Sequence, residues 1–479
     1  MTETAPKAGK VYLSLHLYTP GYITILRVLP ADPKSSRNAA NAGLGLDVFQ
    51  NRGTEVDTYT SALDLVRKQP PERPVALVRR APVTVAAQWF QANFKGDVFY
   101  AVKANPSPWV LETLWGAGVR SFDVASLNEV ELVRSTLPSA RLAFMHPVKS
   151  RAAIAQAYSD YGVRTFSLDT HEELAKILQA TGNAPDLNLI VRLATSGEGA
   201  NLPLTNKFGA QTHEAPSLLL ATRQATRGLM GISFHVGSQC MRPTAYAAAM
   251  AAASRSLVRA GVFADVVDVG GGFPSVYPGM VPPALSEYMD VINRAFDEMK
   301  VHEETQLWAE PGRALVAEST SVLTKVELRK GDALYLNDGS YGNLFDATHA
   351  KWPFPVRLHR QDEDEGDTLK PFRFYGPTCD SIDSMPGPFW LPADVDEGDY
   401  VEIGMLGAYG VTMGTRFNGY GETETVFLDD APMASLFGLG PRTLNNPRSA
   451  FDIDESNKVV RLNRPKGGKR GKKRVKAKA

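Results

Sequence analysis

Eight residues or short groups able to do chemistry stand at the ends of short apolar runs. They are Lys103, Asp123, His146, Asp169, Arg192, His235, the triplet Gly270-Gly271-Gly272, and Glu310. The first sits in Phe99-Tyr100-Ala101-Val102-Lys103-Ala104-Asn105-Pro106, an apolar run with a lysine at its end and a proline-broken turn behind it. A desolvated lysine has a lowered pKa and condenses with an aldehyde to a Schiff base, so an amine held at a pocket mouth suits an aldehyde cofactor. A lone lysine at a strand end is more often a snorkelling side chain, and three glycines alone mean a tight turn. The series as a whole points to one site.

The elements that must position these groups form a regular passage beginning at Val75. Strands are expected at Val98–Val102, Ser121–Val124, Leu142–Met145, Thr165–Leu168, Leu187–Leu193, Met230–Val236, Val266–Val269 and Leu307–Ala309. Between them lie amphipathic stretches such as Leu127–Thr136, Arg151–Tyr161, His171–Ala180, Ala245–Arg259 and Leu285–Met299. Alternating strands and helices of this kind predict an α/β fold, a (β/α)8 TIM-type barrel, which builds its active site at the carboxyl ends of its strands. After Arg313 the pattern becomes alternating strands broken by Gly, Pro and Asp (Val322–Arg329, Ala333–Leu336, Phe372–Tyr375, Tyr400–Ile403), which predicts a second, all-β domain.

A chain of 479 residues with 43% hydrophobic content is long enough for two domains. We expect an appendage and linker over 1–60, the barrel with its lead-in over 61–319, the β domain over 320–462 and a disordered basic tail over 463–479. Val11–Leu29 is apolar, but its alternation around Pro20-Gly21 fits a β-hairpin better than a membrane span. Only Cys240 and Cys379 are present, too few for a disulfide framework, and no secretory signal is visible, so a cytoplasmic location is expected. The formal charge is zero, yet residues 463–479 hold nine Lys or Arg and no acid, leaving the body acidic. Such a tail attracts polyanions weakly and without reading bases, and a purely solubilising role is the simpler account. Gln361–Asp367, with five acids, reads as a solvated loop.

The ordered motifs carry a resemblance. Beside the Lys103 run they are Phe122-Asp123-Val124-Ala125-Ser126, Lys207-Phe208-Gly209, Phe234-His235-Val236-Gly237-Ser238, Asp268-Val269-Gly270-Gly271-Gly272-Phe273-Pro274 and Glu310-Pro311-Gly312-Arg313. The β region adds Gly376-Pro377-Thr378-Cys379-Asp380, Gly407-Ala408-Tyr409 and Phe417-Asn418-Gly419. Over roughly residues 72–445 the chain resembles the fold-type III pyridoxal-phosphate decarboxylases of ornithine, diaminopimelate and arginine, and is most similar to the ornithine decarboxylases.

The resemblance implies pyridoxal 5'-phosphate as cofactor, no metal, and a set of roles. Lys103 would carry the cofactor. Glu310 would pair with the pyridine nitrogen and keep it protonated, so that the ring draws electrons from the reacting carbon. His235 would stack on the ring, with Asp123 and Arg192 as supporting charges; structural salt bridges are the competing account of those two. The N–H groups of Gly270, Gly271 and Gly272, with Ser238, Gly312, Arg313 and Tyr409, would hold the phosphate. Cys379 resembles the acid that reprotonates the product, and in this family it and Asp380 come from the second subunit, which implies a homodimer with shared sites.

Substrate choice follows from the far end of the amino acid. Asp380 and Asp346, with Phe345 and Phe417 nearby, resemble the acidic pocket for the distal ammonium of ornithine. Asp380-Ser381 replaces the Glu-Ser of diaminopimelate decarboxylases, whereas Phe345 replaces a common tyrosine and leaves room for lysine. The reading is therefore decarboxylation of L-ornithine to putrescine, with lysine or diaminopimelate as the alternative. A non-catalytic binding protein similar to the antizyme inhibitors is the alternative of another class.

Overall fold

The structure, a computed structural model, describes residues 57–204, 207–350, 352–361, 366, 368–442 and the backbone of 451–453 and 459–461. The expected hairpin at Val11–Leu29, its linker, most of the acidic loop and the basic tail lie outside the described residues.

Eight parallel strands close a barrel in the order Asp97–Ala101, Ser121–Val124, Arg141–Phe144, Thr165–Leu168, Asn188–Leu193, Met230–Phe234, Val266–Asp268 and Gln306–Ala309, the last returning to pair with the first. Each lies within two residues of its expected span. The strands are short runs buried on both faces, as parallel strands under a helical coat must be. Successive helices start at matched caps. Ser126, Ser150 and Thr170 side chains accept the N–H groups of Glu129, Ala153 and Glu173, which stops each loop at a defined point above the strand it follows.

The barrel floor is filled by Phe99, Ala143, Met145, Ile190, Val266 and Trp308. Arg141, the first residue of its strand, closes it below with its guanidinium over the rings of Trp308 (4.5 Å) and Phe99 (5.0 Å). With the floor packed, the opposite end, where the polar strand-end groups emerge, is free for chemistry.

The β domain is a mixed nine-stranded sheet and differs from a simple sequel to the barrel. Its long strand Thr320–Lys330 pairs with Ala333–Leu336, Tyr400–Ile403 and also with Val75–Val78, which precedes the barrel. Thr58–Tyr59 joins the same sheet through Glu424–Leu428. The reason is geometric: Val75–Val78 is wholly buried and needs neighbours on both edges, and a closed eight-stranded barrel has no edge to offer. Immediately after it, buried Arg79 bonds Ser321, Glu402 and Asp430, tying the first barrel helix to the sheet.

Candidate active site

Lys103 lies in a single 3-10 turn, Val102–Ala104, after the first barrel strand. The turn is clamped from both sides. Tyr100 Oη donates to the Asn105 carbonyl (2.9 Å), Asn105 Nδ2 donates to the Gly407 carbonyl (2.9 Å), and the Tyr409 N–H donates to the Ala104 carbonyl (2.8 Å). Gly312 packs against it so closely that a Cβ there would sit 3.0 Å from that of Ala104. Gly312 thus belongs to the support of the lysine turn.

The amine, on a side chain 42% exposed at the barrel mouth, donates to Asp123 Oδ2 at 2.5 Å. The sequence argument expects a lowered lysine pKa, and the structure corrects it. Burial does pull it down, but the carboxylates of Asp123 and Glu310 outweigh burial and raise it. Behind the lysine lies a carboxyl cluster. Asp123 is 1% exposed and its Oδ1 has no partner; Asp268 is equally buried, with Oδ1 accepting the Gly270 N–H (2.8 Å) and Oδ2 unpartnered. Burial, then the Asp123 charge, push Asp268 up to about 6, while burial, then the Asp268 and Asp123 charges, push Glu310 well above the carboxylate range. Asp268 is a residue that role assignment missed, although it heads the quoted glycine motif; an acid two residues before a glycine run was the available signal.

His235, at the end of its strand, accepts the Gly237 N–H on Nδ1 (3.0 Å), which leaves the proton of the neutral ring on Nε2. Burial, then Arg192 and Lys103, push its pKa down to about 3. Arg192 itself faces the Phe208 ring (5.5 Å), as do Lys207 (5.0 Å) and, edge to face, His146 (5.0 Å). Asp169 Oδ2 accepts the Gly209 N–H (2.8 Å). Asp169 and His146 therefore hold the 207–209 segment in place, a positioning use of two strand-end residues.

The glycine triplet forms a cradle. Gly270 and Gly272 adopt positive φ (68° and 98°), and a Cβ on Gly272 would fall 2.4 Å from the Gly237 carbonyl. Among the described residues the N–H groups of Gly271 and Gly272 donate to nothing. Arg313 lies beside it, with Nε 3.4 Å from Ser238 Oγ and its carbon 5.1 Å from the Tyr409 ring centre. Tyr409 itself has a left-handed φ of 58°. Free N–H groups, an arginine and a hydroxyl fit a phosphate, while unpartnered acid oxygens beside a lysine fit a protonated nitrogen heterocycle bearing an aldehyde.

The guanidinium of Arg313 also forms a buried bidentate pair with Asp346 (2.7 and 3.2 Å) and donates to Tyr277 Oη (2.7 Å). The expected reading has Asp346 facing substrate; here its carboxylate is taken up by the arginine. Phe345, next to it, stacks on His349.

Cys379 and Asp380 stand elsewhere, on an exposed turn of the β domain. Cys379 Sγ lies 3.3 Å from Asn418 Oδ1, and Asp380 accepts Tyr341 Oη at 2.5 Å, which holds the carboxyl below its ordinary pKa. Phe417 packs on Tyr341. Among the described residues neither Cys379 nor Asp380 bonds any barrel side chain. Ile382, whose N–H donates to Asp380, and Phe417 are both exposed.

Residues 81–317 match the family described as pyridoxal-dependent decarboxylase, pyridoxal binding domain. The lysine/ornithine decarboxylase of Selenomonas ruminantium is 34% identical over 71% of this chain and 85% of its own. Antizyme inhibitor 2 of Xenopus laevis is 31% identical over 67% of this chain and 73% of its own. Among solved structures, the arginine decarboxylase of Paramecium bursaria Chlorella virus, bound to agmatine, superposes with a TM-score of 0.68 at 28% identity, covering 76% of this chain and 98% of that one.

Proposed function

This chain belongs to the fold-type III pyridoxal-dependent decarboxylases, with pyridoxal 5'-phosphate as cofactor, and from that premise we propose that it decarboxylates L-ornithine to putrescine. The observation that carries the decarboxylase reading is the contact of Lys103 with Asp123 beside the Asp268 and Glu310 carboxyls, next to a glycine cradle with an arginine. When bound, the cofactor supplies the electron sink for the pair left at Cα as carbon dioxide departs.

The chain's own residues do the rest. Lys103 would hold the cofactor through its amine, and the substrate's α-amine would compete with it for that place. Glu310, its pKa pushed up by burial and then by the Asp268 and Asp123 carboxyls, would face the ring nitrogen, with Asp268 behind it. His235, neutral with Nδ1 accepting the Gly237 N–H, would offer a flat face to the ring and no proton at that atom. The Gly271 and Gly272 N–H groups, Ser238 and Arg313 would hold the phosphate.

Cys379 gives a proton to Cα after carbon dioxide leaves, and Asp380 receives the distal ammonium, both from a second copy of the chain. The apolar, exposed surroundings of these two residues support a dimer interface there. Asp346 completes the acidic pocket. Ornithine, lysine and arginine all end in a cation, so the pocket charge selects the class and its length selects the member. In the described residues no helix is long and apolar enough to cross a membrane, and the two free cysteines support a cytoplasmic site in polyamine-related metabolism.

Likeness to an antizyme inhibitor keeps a binding role as the second reading, and retention of Lys103, Glu310, Cys379 and the glycines supports the enzyme. The test offers ornithine, lysine, arginine and diaminopimelate together. Putrescine as the main product is expected; cadaverine or agmatine in excess moves the substrate, and no product with no bound cofactor absorbance leaves the binding role.

A further inference from the structure

We propose that Arg313 and Asp346 form a clasp that makes the distal-amine pocket conditional on the cofactor phosphate. The proposal rests on the reading above, in which Arg313 serves the phosphate and Asp346 the substrate ammonium. As built, those two uses compete for one guanidinium.

A guanidinium has five N–H donors. In Arg313 one Nη1 proton goes to Tyr277 Oη, the other to Asp346 Oδ2, and one Nη2 proton to Asp346 Oδ1; Nε faces Ser238 Oγ at a long 3.4 Å. The fork that grips a phosphate best is therefore spent on a carboxylate. Both partners are almost fully buried, 3% and 6% exposed, so two anions on one cation would repel with little screening. The Asp346 side chain has no other hydrogen-bond partner among the described residues.

Phosphate arriving at the glycine cradle competes for the fork and loosens its hold on Asp346. A buried carboxylate that loses its cation is strongly disfavoured until another cation replaces it. The distal ammonium of the substrate is that cation. Cofactor and diamino acid thus tighten each other's binding, a coupling that is reciprocal by thermodynamic necessity. Tyr277, hydrogen-bonded to the guanidinium, keeps it at the cradle during the exchange of partners.

The test measures cofactor affinity of the full chain, freed of cofactor and then titrated, by the absorbance of cofactor joined to Lys103. Asp346→Asn should bind pyridoxal phosphate about tenfold tighter than the parent, in the usual range of coupling between sites. It should bind pyridoxal, which has no phosphate, as the parent does. Unchanged or weakened pyridoxal phosphate affinity, or an equal gain for pyridoxal, overturns the clasp. These titrations contain no amino acid, so they decide the clasp whichever diamino acid is decarboxylated, and the product assay decides the substrate separately.

Discussion

The two clusters that the resemblance assigns to one active site are built in opposite ways. The barrel-mouth cluster is buried, crowded with charge and locally incomplete: Asp123 Oδ1 and Asp268 Oδ2 have no partners, Gly271 and Gly272 keep free N–H groups, and Glu310 is driven toward its protonated form. The Cys379–Asp380 turn is exposed and locally complete. Asp383 beneath it accepts four hydrogen bonds, from the N–H and hydroxyl of Ser340 and of Thr378. Its carboxylate approaches so closely that a Cβ on Gly376 would fall 2.2 Å from it. A buried group left unsatisfied is costly and persists where a ligand completes it; an exposed, well-braced turn carrying exposed Ile382 and Phe417 suits contact with another surface. On the proposed reading, one half is finished by a small molecule and the other by a second chain.

The comparison breaks first at Lys103. Lys103→Ala should lower turnover on the order of a thousandfold or more and abolish the absorbance of lysine-bound cofactor, while leaving the circular dichroism spectrum unchanged. Turnover near that of the parent removes the barrel-mouth half from the chemistry.

Mixing tests whether the halves come from different chains. Lys103→Ala and Cys379→Ala homodimers should each be nearly inactive, the latter slow and giving misprotonated product. After subunit exchange in equal amounts, half the dimers carry one intact site, so activity should return to about a quarter of the parent level. No recovery would place Lys103 and Cys379 of a single chain in the same site.

Asp380→Asn should raise KM for the diamino acid about thirtyfold, since losing one partner of a desolvated charge pair is worth roughly 2–5 kcal/mol. Cofactor affinity, measured separately, should not move. Asp383→Asn is gentler. It turns an amide toward N–H donors on the same turn, leaving buried donors unsatisfied at about 1–3 kcal/mol, and should lower kcat severalfold through a misplaced Cys379 while cofactor binding holds. Unimpaired kcat would show that the turn needs no bracing.

The smallest effect is a shift that should not occur. His235, held down at about 3, stays neutral across the physiological range, so His235→Asn should lower kcat/KM without moving its acid limb between about pH 5 and 8. The unfolded chain takes a proton on this histidine near 6.5 and the folded chain does not until about 3, so the parent loses stability as pH falls through that window. The stability gap between parent and variant should shift in the variant's favour from pH 7 to pH 5, read by thermal melts. An acid limb that moves with the substitution would make His235 a titrating group in turnover.

Much of the barrel could be read from the chain because its signals are local. Strand runs, helix periodicity and the S/T-x-x-E starts at Ser126 and Thr170 depend on neighbours a few residues apart, and they set which residues emerge at the strand ends. The motif order likewise named Lys103, His235, Glu310 and Arg313. What depended on distance in sequence was decided only by the tertiary structure. Val75–Val78 reads as one more buried strand, and only barrel closure sends it to Thr320–Lys330. A lysine at a strand end reads as desolvated; that its amine meets Asp123 and Glu310, so that charge overrides burial, is a fact about three strands brought together. Arg313 and Asp346 read as servants of two different ligands, and their pairing is a contact between a residue beside the barrel and a helix of the β domain. Local physics selects the elements and their chemistry; electrostatics between groups far apart in the chain exists only once the fold has set their separations.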